Sequence, residues 1–172
     1  MTLARIRDAV AADAPAICAI YNELVAGSTA TYRSTPATPD ERAAWMTDRQ
    51  AAGFPVLVAE DAGGRVLGYA TYGPYRAGDG YSLTVEHSIY LAPEARGAGL
   101  GAQLMAPLIA RARAAGLHAM VGALTAENEA SRRFHAALGF VAEGVQRQVG
   151  HKFGRWLDLE IWVLRLDDRA AP

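Results

Sequence analysis

The run Arg96-Gly97-Ala98-Gly99-Leu100-Gly101 carries the strongest chemical signal in the chain. It falls between a strand-like stretch and a helical one. Glycines at such a junction let backbone N–H groups converge on an anion, and the positive end of the helix dipole adds to the attraction. The expected ligand therefore carries phosphate. The spacing is not G-x-G-x-x-G, and no Gly-Lys-Ser/Thr follows, so a dinucleotide fold or a P-loop NTPase fits poorly. Taken alone, the loop also admits a plain tight turn. A second polar set lies just upstream, where Thr84, Glu86, Ser88 and Tyr90 alternate with Leu83, Val85, Ile89 and Leu91. Glu86 is the carboxylate of that face, and from spacing alone it is as readily the structural partner of an arginine as a general base.

Elements must hold these residues in place. The longest strand candidate is 82–91, ended by Ala92-Pro93. After the glycines, Leu100, Leu104, Met105, Leu108 and Ile109 form the apolar stripe of a helix that stops before Gly116. Pro107 sits badly inside it, since an interior proline costs about 3 kcal/mol. Earlier in the chain, a strand over 4–7 precedes a helix that starts at Asp13 and Pro15 and carries the stripe Ile17, Ile20, Tyr21, Leu24 and Val25. Thr38-Pro39-Asp40-Glu41 fits a capping box that opens a second helix ending near Gly53. Residues 56–59 and 66–72 follow as strands joined by a turn at Ala62-Gly63-Gly64. Downstream come a strand over 120–124, a helix over 128–138 closed by Gly139, and strands over 140–143 and 156–166. The order β-α-α-β-β-β-α-β-α-β-β predicts an α/β class with a mixed sheet and helices on both faces.

The chain has 172 residues, which predicts a single compact domain over 1–172 with a short charged tail at 167–172. Such a length buries about 70% of the unfolded surface without help from disulfide or metal. Cys18 is the one cysteine, so an internal disulfide is impossible and a reducing compartment is expected. Its place beside the first apolar stripe reads as packing. A net charge of −1 gives no footprint for nucleic acid or an anionic membrane. No signal-peptide core opens the chain, and no apolar run reaches the ~18 residues of a span. The expectation is a soluble cytoplasmic protein. His87, His118, His135 and His151 lack metal-ligand spacing, so no metal is expected. Trp45, Trp156 and Trp162 read as core or interface anchors, and Arg111 and Arg113 as a solvated helix face.

The series strand, Arg-Gly-x-Gly-Leu-Gly, helix resembles the pyrophosphate loop of the GCN5-related N-acetyltransferase (GNAT) family. Asn128, Ser131 and Leu138-Gly139-Phe140 resemble that family's helix beside the pantetheine arm. Thr84-Val85-Glu86-His87-Ser88-Ile89-Tyr90 and Lys152-Phe153-Gly154-Arg155-Trp156-Leu157-Asp158-Leu159 are similar to the phosphinothricin and methionine sulfoximine/methionine sulfone acetyltransferases, and the second stretch, with Tyr21-Asn22 and Phe54-Pro55-Val56-Leu57-Val58, is nearer the sulfoximine/sulfone branch.

The resemblance implies a central, mostly antiparallel sheet and acetyl-CoA as co-substrate. The acetyl group would pass directly to the α-amine of a small amino-acid analogue in a ternary complex. Glu86 becomes the base that takes the amine proton. Ile89, Tyr90 and Leu91 would pair with the pantetheine amides and polarise the thioester carbonyl, beside an expected β-bulge. Arg96, Gly97, Ala98, Gly99, Leu100, Gly101 and Ala102 would hold the pyrophosphate, with Asn128 and Ser131 along the arm. His135 stands where many relatives place the tyrosine that protonates the leaving thiolate. Arg76 would take the acceptor carboxylate, with Ala77, Gly78, Glu86, His87 and Ser88 around it. The same resemblance implies a homodimer in which Lys152 and Phe153 close the site of the partner subunit. Two other functions remain open: an acetyl-CoA sensor without turnover, and an enzyme acetylating proteins or peptides.

Overall fold

The computed structural model describes residues 4–172, and its elements run β1 (Arg5–Asp8), α1 (Ala14–Gly27), α2 (Pro39–Ala51), β2 (Val56–Glu60), β3 (Val66–Pro74), β4 (Thr84–Leu91), α3 (Leu100–Ala114), β5 (Ala119–Thr125), α4 (Glu129–Ala137), β6 (Val141–Lys152) and β7 (Arg155–Arg165). This is the order the periodicities predict. The seven strands lie in the hydrogen-bonded order β1-β2-β3-β4-β5-β7-β6. Pairing is antiparallel for β1 with β2, β2 with β3, β5 with β7 and β6 with β7, and parallel for β4 with β5, so the sheet is mixed and mostly antiparallel.

By its contacts the chain divides into two compact units. One takes residues 4–23, Pro36–Gly73 and His87–Arg111. Val56, Leu57, Val58 and Ala59 of β2 are all sealed from solvent, which explains why this strand reads as a continuous apolar run rather than an alternation. The capping box forms as the sequence dictates. Thr38 Oγ1 accepts from the Glu41 N–H at 3.2 Å, and Glu41 Oε2 accepts from the Thr38 N–H at 2.7 Å. Leu104, Met105 and Leu108 of α3 are fully buried. Pro107 does not break that helix. It sits on the half-exposed flank, as does Gln103, whose carbonyl loses its usual N–H partner there and lies within reach of water.

Asp13 organises the entry to α1. Its carboxylate accepts from the Val10 N–H at 2.8 Å and takes a two-point contact from Arg7 at 2.6 and 2.9 Å, while Arg7 Nε also donates to Glu60 on β2 at 2.6 Å. Asp13 is 6% exposed, so the pair is poorly screened. Hydrogen bonding to Arg7 holds its carboxyl below the ordinary range. A carboxyl depressed in the folded state stabilises fully above its unfolded pKa of ~3.9, and the contribution fades as pH falls through the lower folded value. Asp13→Asn should therefore cost ~1–3 kcal/mol at pH 7 by urea unfolding. The gap to wild type should shrink towards pH 2. A gap of equal size at both pH values would place the loss elsewhere.

The other unit takes Leu24–Thr35, Pro74–Glu86 and Ala112–Pro172. The β5–β7 ladder runs in register from Ala119↔Arg165 to Thr125↔Leu159. β6 and β7 meet through Phe153-Gly154, with φ of 51° and 74°, the double positive φ of the hairpin turn that matches strand twist. Two expectations need correction. β4 begins at Thr84 rather than residue 82, because Asp79–Tyr81 form a 3-10 turn and Ser82 is still helical at its end. β6 extends to Lys152, far beyond the expected 140–143. Its register shifts at Ala142/Gly144 and again between Gln146 and Gly150, with Gln148 at φ 53°. Those shifts interrupt the alternation by which a strand is recognised.

Candidate functional site

The glycine loop has the geometry of an anion cradle. Gly97 and Gly99 have φ of 76° and 78°, in the left-handed region that only glycine enters without penalty. The carbonyl of Gly99 accepts the N–H of Gln103, the first bond of α3, which makes Gly99 the cap of that helix. The N–H groups of Leu100, Gly101 and Ala102 therefore have no partner within the helix and point out of its N-terminus. Residues 96–99 are exposed. Arg96, expected to hold pyrophosphate, is otherwise engaged. Its Nε and Nη2 donate to the Leu91 carbonyl at 3.2 and 3.1 Å, and Nη2 also reaches Glu23 at 2.7 Å. It braces the loop against the end of β4.

Along β4, Glu86, Ser88, Ile89, Tyr90 and Leu91 are half-buried, and Glu86 is in register with Val121 of β5. A partly dehydrated carboxylate on the polar face of a strand is suited to taking a proton. His87 lies on the other alternate. It is 6% exposed and shares the parity of Val85, 1% exposed, so its side chain belongs to the buried alternate of the strand.

At α4, Asn128 caps the helix, its Oδ1 accepting from the Ser131 N–H at 3.0 Å. This leaves the side-chain NH₂ of Asn128 as the group for a ligand. His135 is 1% exposed, its ring set edge-on to Phe134 and Phe140. Its Nδ1 lies 2.7 Å from the Ser131 carbonyl, which can only accept, so Nδ1 holds the proton. Burial pushes its pKa down from the ordinary value. The Nδ1 N–H of the ring is thus engaged by the helix backbone.

Arg76, Ala77 and Gly78 are exposed, on a loop closed by the edge-on rings of Tyr75 and Tyr81, with the Arg76 guanidinium 4.9 Å from the Tyr75 ring centroid. Lys152 is engaged within its own chain. It is 3% exposed, and its ammonium donates to the carbonyls of Ser28 at 2.7 Å and Thr31 at 2.8 Å, so within its own chain it clamps the segment after α1. Thr29 and Arg155 meet on Glu127, and the Tyr32 hydroxyl donates to the Asp158 carbonyl at 3.0 Å, fixing the same segment. Phe153, at the hairpin tip, is 57% exposed.

Sequence reasoning passed over Arg42. On an otherwise polar stretch of α2 it reads as a solvated cation, yet it is 8% exposed and stacked 3.4 Å from the centroid of Tyr21. Only the aromatic types spread over distant positions could have hinted at it. Among the described residues no group of His, Cys, Asp and Glu could hold a metal ion, and no helix is long and apolar enough to cross a membrane.

A mixed sheet of this order with a glycine-capped helix after β4 defines an acyl-transfer scaffold that presents backbone donors to phosphate. The Acetyltransferase (GNAT) family pattern matches residues 17–140, and the chain belongs to that family, as an acetyl-CoA-dependent N-acetyltransferase. The chain is 52% identical over 170 residues to the L-methionine sulfoximine/L-methionine sulfone acetyltransferase of Pseudomonas aeruginosa, covering 98% of this chain and 99% of that one. It is 39% identical over 157 residues to the phosphinothricin N-acetyltransferase of Streptomyces coelicolor, covering 90% and 92%. The structure of an acetyltransferase from Salmonella typhimurium with its cofactor acetyl-CoA superposes with a TM-score of 0.95 at 46% identity, covering 98% and 97%.

Proposed function

We propose that the chain transfers the acetyl group of acetyl-CoA to the α-amine of a small amino-acid analogue, methionine sulfoximine, methionine sulfone or phosphinothricin. The observation that carries the reading is the half-buried Glu86 on the polar alternate of β4, in a chain so similar to enzymes named for those acceptors. Glu86 takes a proton from the acceptor ammonium. The freed nitrogen then attacks the thioester carbonyl carbon, a C–N bond forms and the C–S bond breaks, and the extra proton left on the nitrogen passes to the departing thiolate, so that CoA leaves as the thiol. The backbone of Ile89, Tyr90 and Leu91 supplies N–H groups to the thioester oxygen and the pantetheine amides. The N–H groups from Gly97 to Ala102 hold the pyrophosphate, and Asn128 and Ser131 border the arm. Arg76, with Ala77, Gly78 and Ser88, receives the acceptor. His135 fixes α4 through its Nδ1 bond to the Ser131 carbonyl.

Release of free CoA thiol tests this over a panel of methionine sulfoximine, methionine sulfone, phosphinothricin, methionine and a lysine peptide. Turnover concentrated on the first three is expected. Activity on the peptide alone would make the chain a protein acetylase, and acetyl-CoA binding without turnover would make it a sensor.

A further inference from the structure

Contacts on both edges fix the backbone at the end of β4, all within the unit of residues 4–23, Pro36–Gly73 and His87–Arg111. On the β3 side the approach is close. A Cβ on Gly68 would lie 2.9 Å from the Tyr90 carbonyl oxygen and 2.4 Å from Leu91 Cδ2, so only glycine admits the strand this near. No left-handed angle calls for glycine at 68; the neighbours do. One residue further, the Ala92 N–H donates to the Leu67 carbonyl at 2.9 Å. From the glycine loop, Arg96 Nε and Nη2 donate to the Leu91 carbonyl at 3.2 and 3.1 Å, while Glu23 steadies Nη2 at 2.7 Å.

These contacts determine which way Leu91 faces. In a trans peptide the C=O and the following N–H point in opposite directions. The Tyr90 carbonyl lies against Gly68, so the Leu91 N–H points away from β3. The Ala92 N–H reaches Leu67, so the Leu91 carbonyl points away from β3 as well. Donor and acceptor of Leu91 therefore share one edge of the strand. A thioester oxygen drawn to that N–H would meet the partial negative charge of the carbonyl beside it. The repulsion would grow as the oxygen became an oxyanion. Arg96 removes it, because its N–H groups cover the carbonyl and set positive charge next to it.

We propose that Arg96 is a positioning residue for acetyl transfer, capping the Leu91 carbonyl so that the Leu91 N–H alone faces the thioester oxygen, and that it does not bind the pyrophosphate. This rests on the reading that the backbone of Ile89, Tyr90 and Leu91 serves the thioester. Gly68 holds the same peptide from the opposite edge.

The test compares Arg96→Met with wild type on acetyl-CoA and on acetyl-pantetheine, a donor that ends before the pyrophosphate, with methionine sulfone as acceptor. kcat should fall by ~5–50-fold with either donor. Arg96→Lys keeps a charged donor for the carbonyl and should recover part of the loss. A loss confined to acetyl-CoA and carried in KM would make Arg96 a phosphate ligand and overturn the proposal. If Arg96→Met does not fold, Arg96→Gln carries the same comparison. A second readout needs no turnover. The infrared carbonyl stretch of acetyl-CoA, isotopically labelled at the thioester, falls when a donor polarises it. It should lie below its free value on wild type and return towards that value on Arg96→Met. An identical band on both proteins would overturn the proposal. A lowered wild-type band that the variant loses, with no amine of the panel acetylated, would keep the proposal and discard the acceptor reading. A wild-type band at the free value, with methionine sulfone still acetylated, would do the reverse.

Discussion

Glu86→Gln is expected to lower kcat by ~10²–10⁴-fold at neutral pH while leaving acetyl-CoA affinity within about twofold of wild type. The substitution preserves shape and hydrogen-bonding capacity but removes the ability to accept a proton. An α-amine is largely protonated at neutral pH, and its lone pair is not available to the thioester until that proton has gone. Glu86 lies in the paired part of β4, opposite Val121, so an isosteric change should leave the sheet intact. The glycine loop lies beyond the end of the same strand and should bind acetyl-CoA as before. The defect should be pH-dependent in a way that a folding fault is not. As pH rises and the free amine becomes abundant, the need for a base falls and the gap to wild type should narrow. A loss below threefold across the whole pH range would remove Glu86 from this role.

Much of this framework is legible in the sequence because it is encoded locally. Thr38 and Glu41 form a capping box from residues three apart, and the stripe from Leu100 to Ile109 repeats with the helical period. The glycine loop is legible for the same reason: its left-handed angles demand glycine wherever they occur. What the sequence hides depends on partners far along the chain. Lys152 stands beside the exposed Phe153 and reads as a surface cation, but its ammonium is taken by carbonyls 124 and 121 positions earlier. Arg42 reads as solvated until the rings of Tyr21 and Trp45 are brought to it. The state of His135 is hidden for a different reason. A family position says which residue type is present, whereas its protonation depends on burial and on the Ser131 carbonyl. The length of β6 beyond residue 143 escaped notice because its register slips remove the alternation that would have marked it.

The second large effect is expected at Gly99. An alanine there must either hold φ near 78° at a cost of ~1–2 kcal/mol or rotate away and turn the loop N–H groups from the ligand. Either way the penalty falls on binding, and the dissociation constant for acetyl-CoA should rise by ~5–30-fold. Steric conflict within the protein is not the cause, since a Cβ at Gly99 or at Gly97 would meet no atom within 4 Å. The angle itself is at fault, which gives the prediction a control. Asparagine tolerates the left-handed region better than alanine, so Gly99→Asn should recover part of the affinity that Gly99→Ala loses. Comparing acetyl-CoA with acetyl-pantetheine, which has the thioester but lacks the pyrophosphate, then assigns the loss to a group. If the N–H groups from Gly97 to Ala102 hold pyrophosphate, Gly99→Ala weakens acetyl-CoA and leaves acetyl-pantetheine untouched. Equal weakening of both would mean that the loop acts through the position of α3 rather than by cradling phosphate.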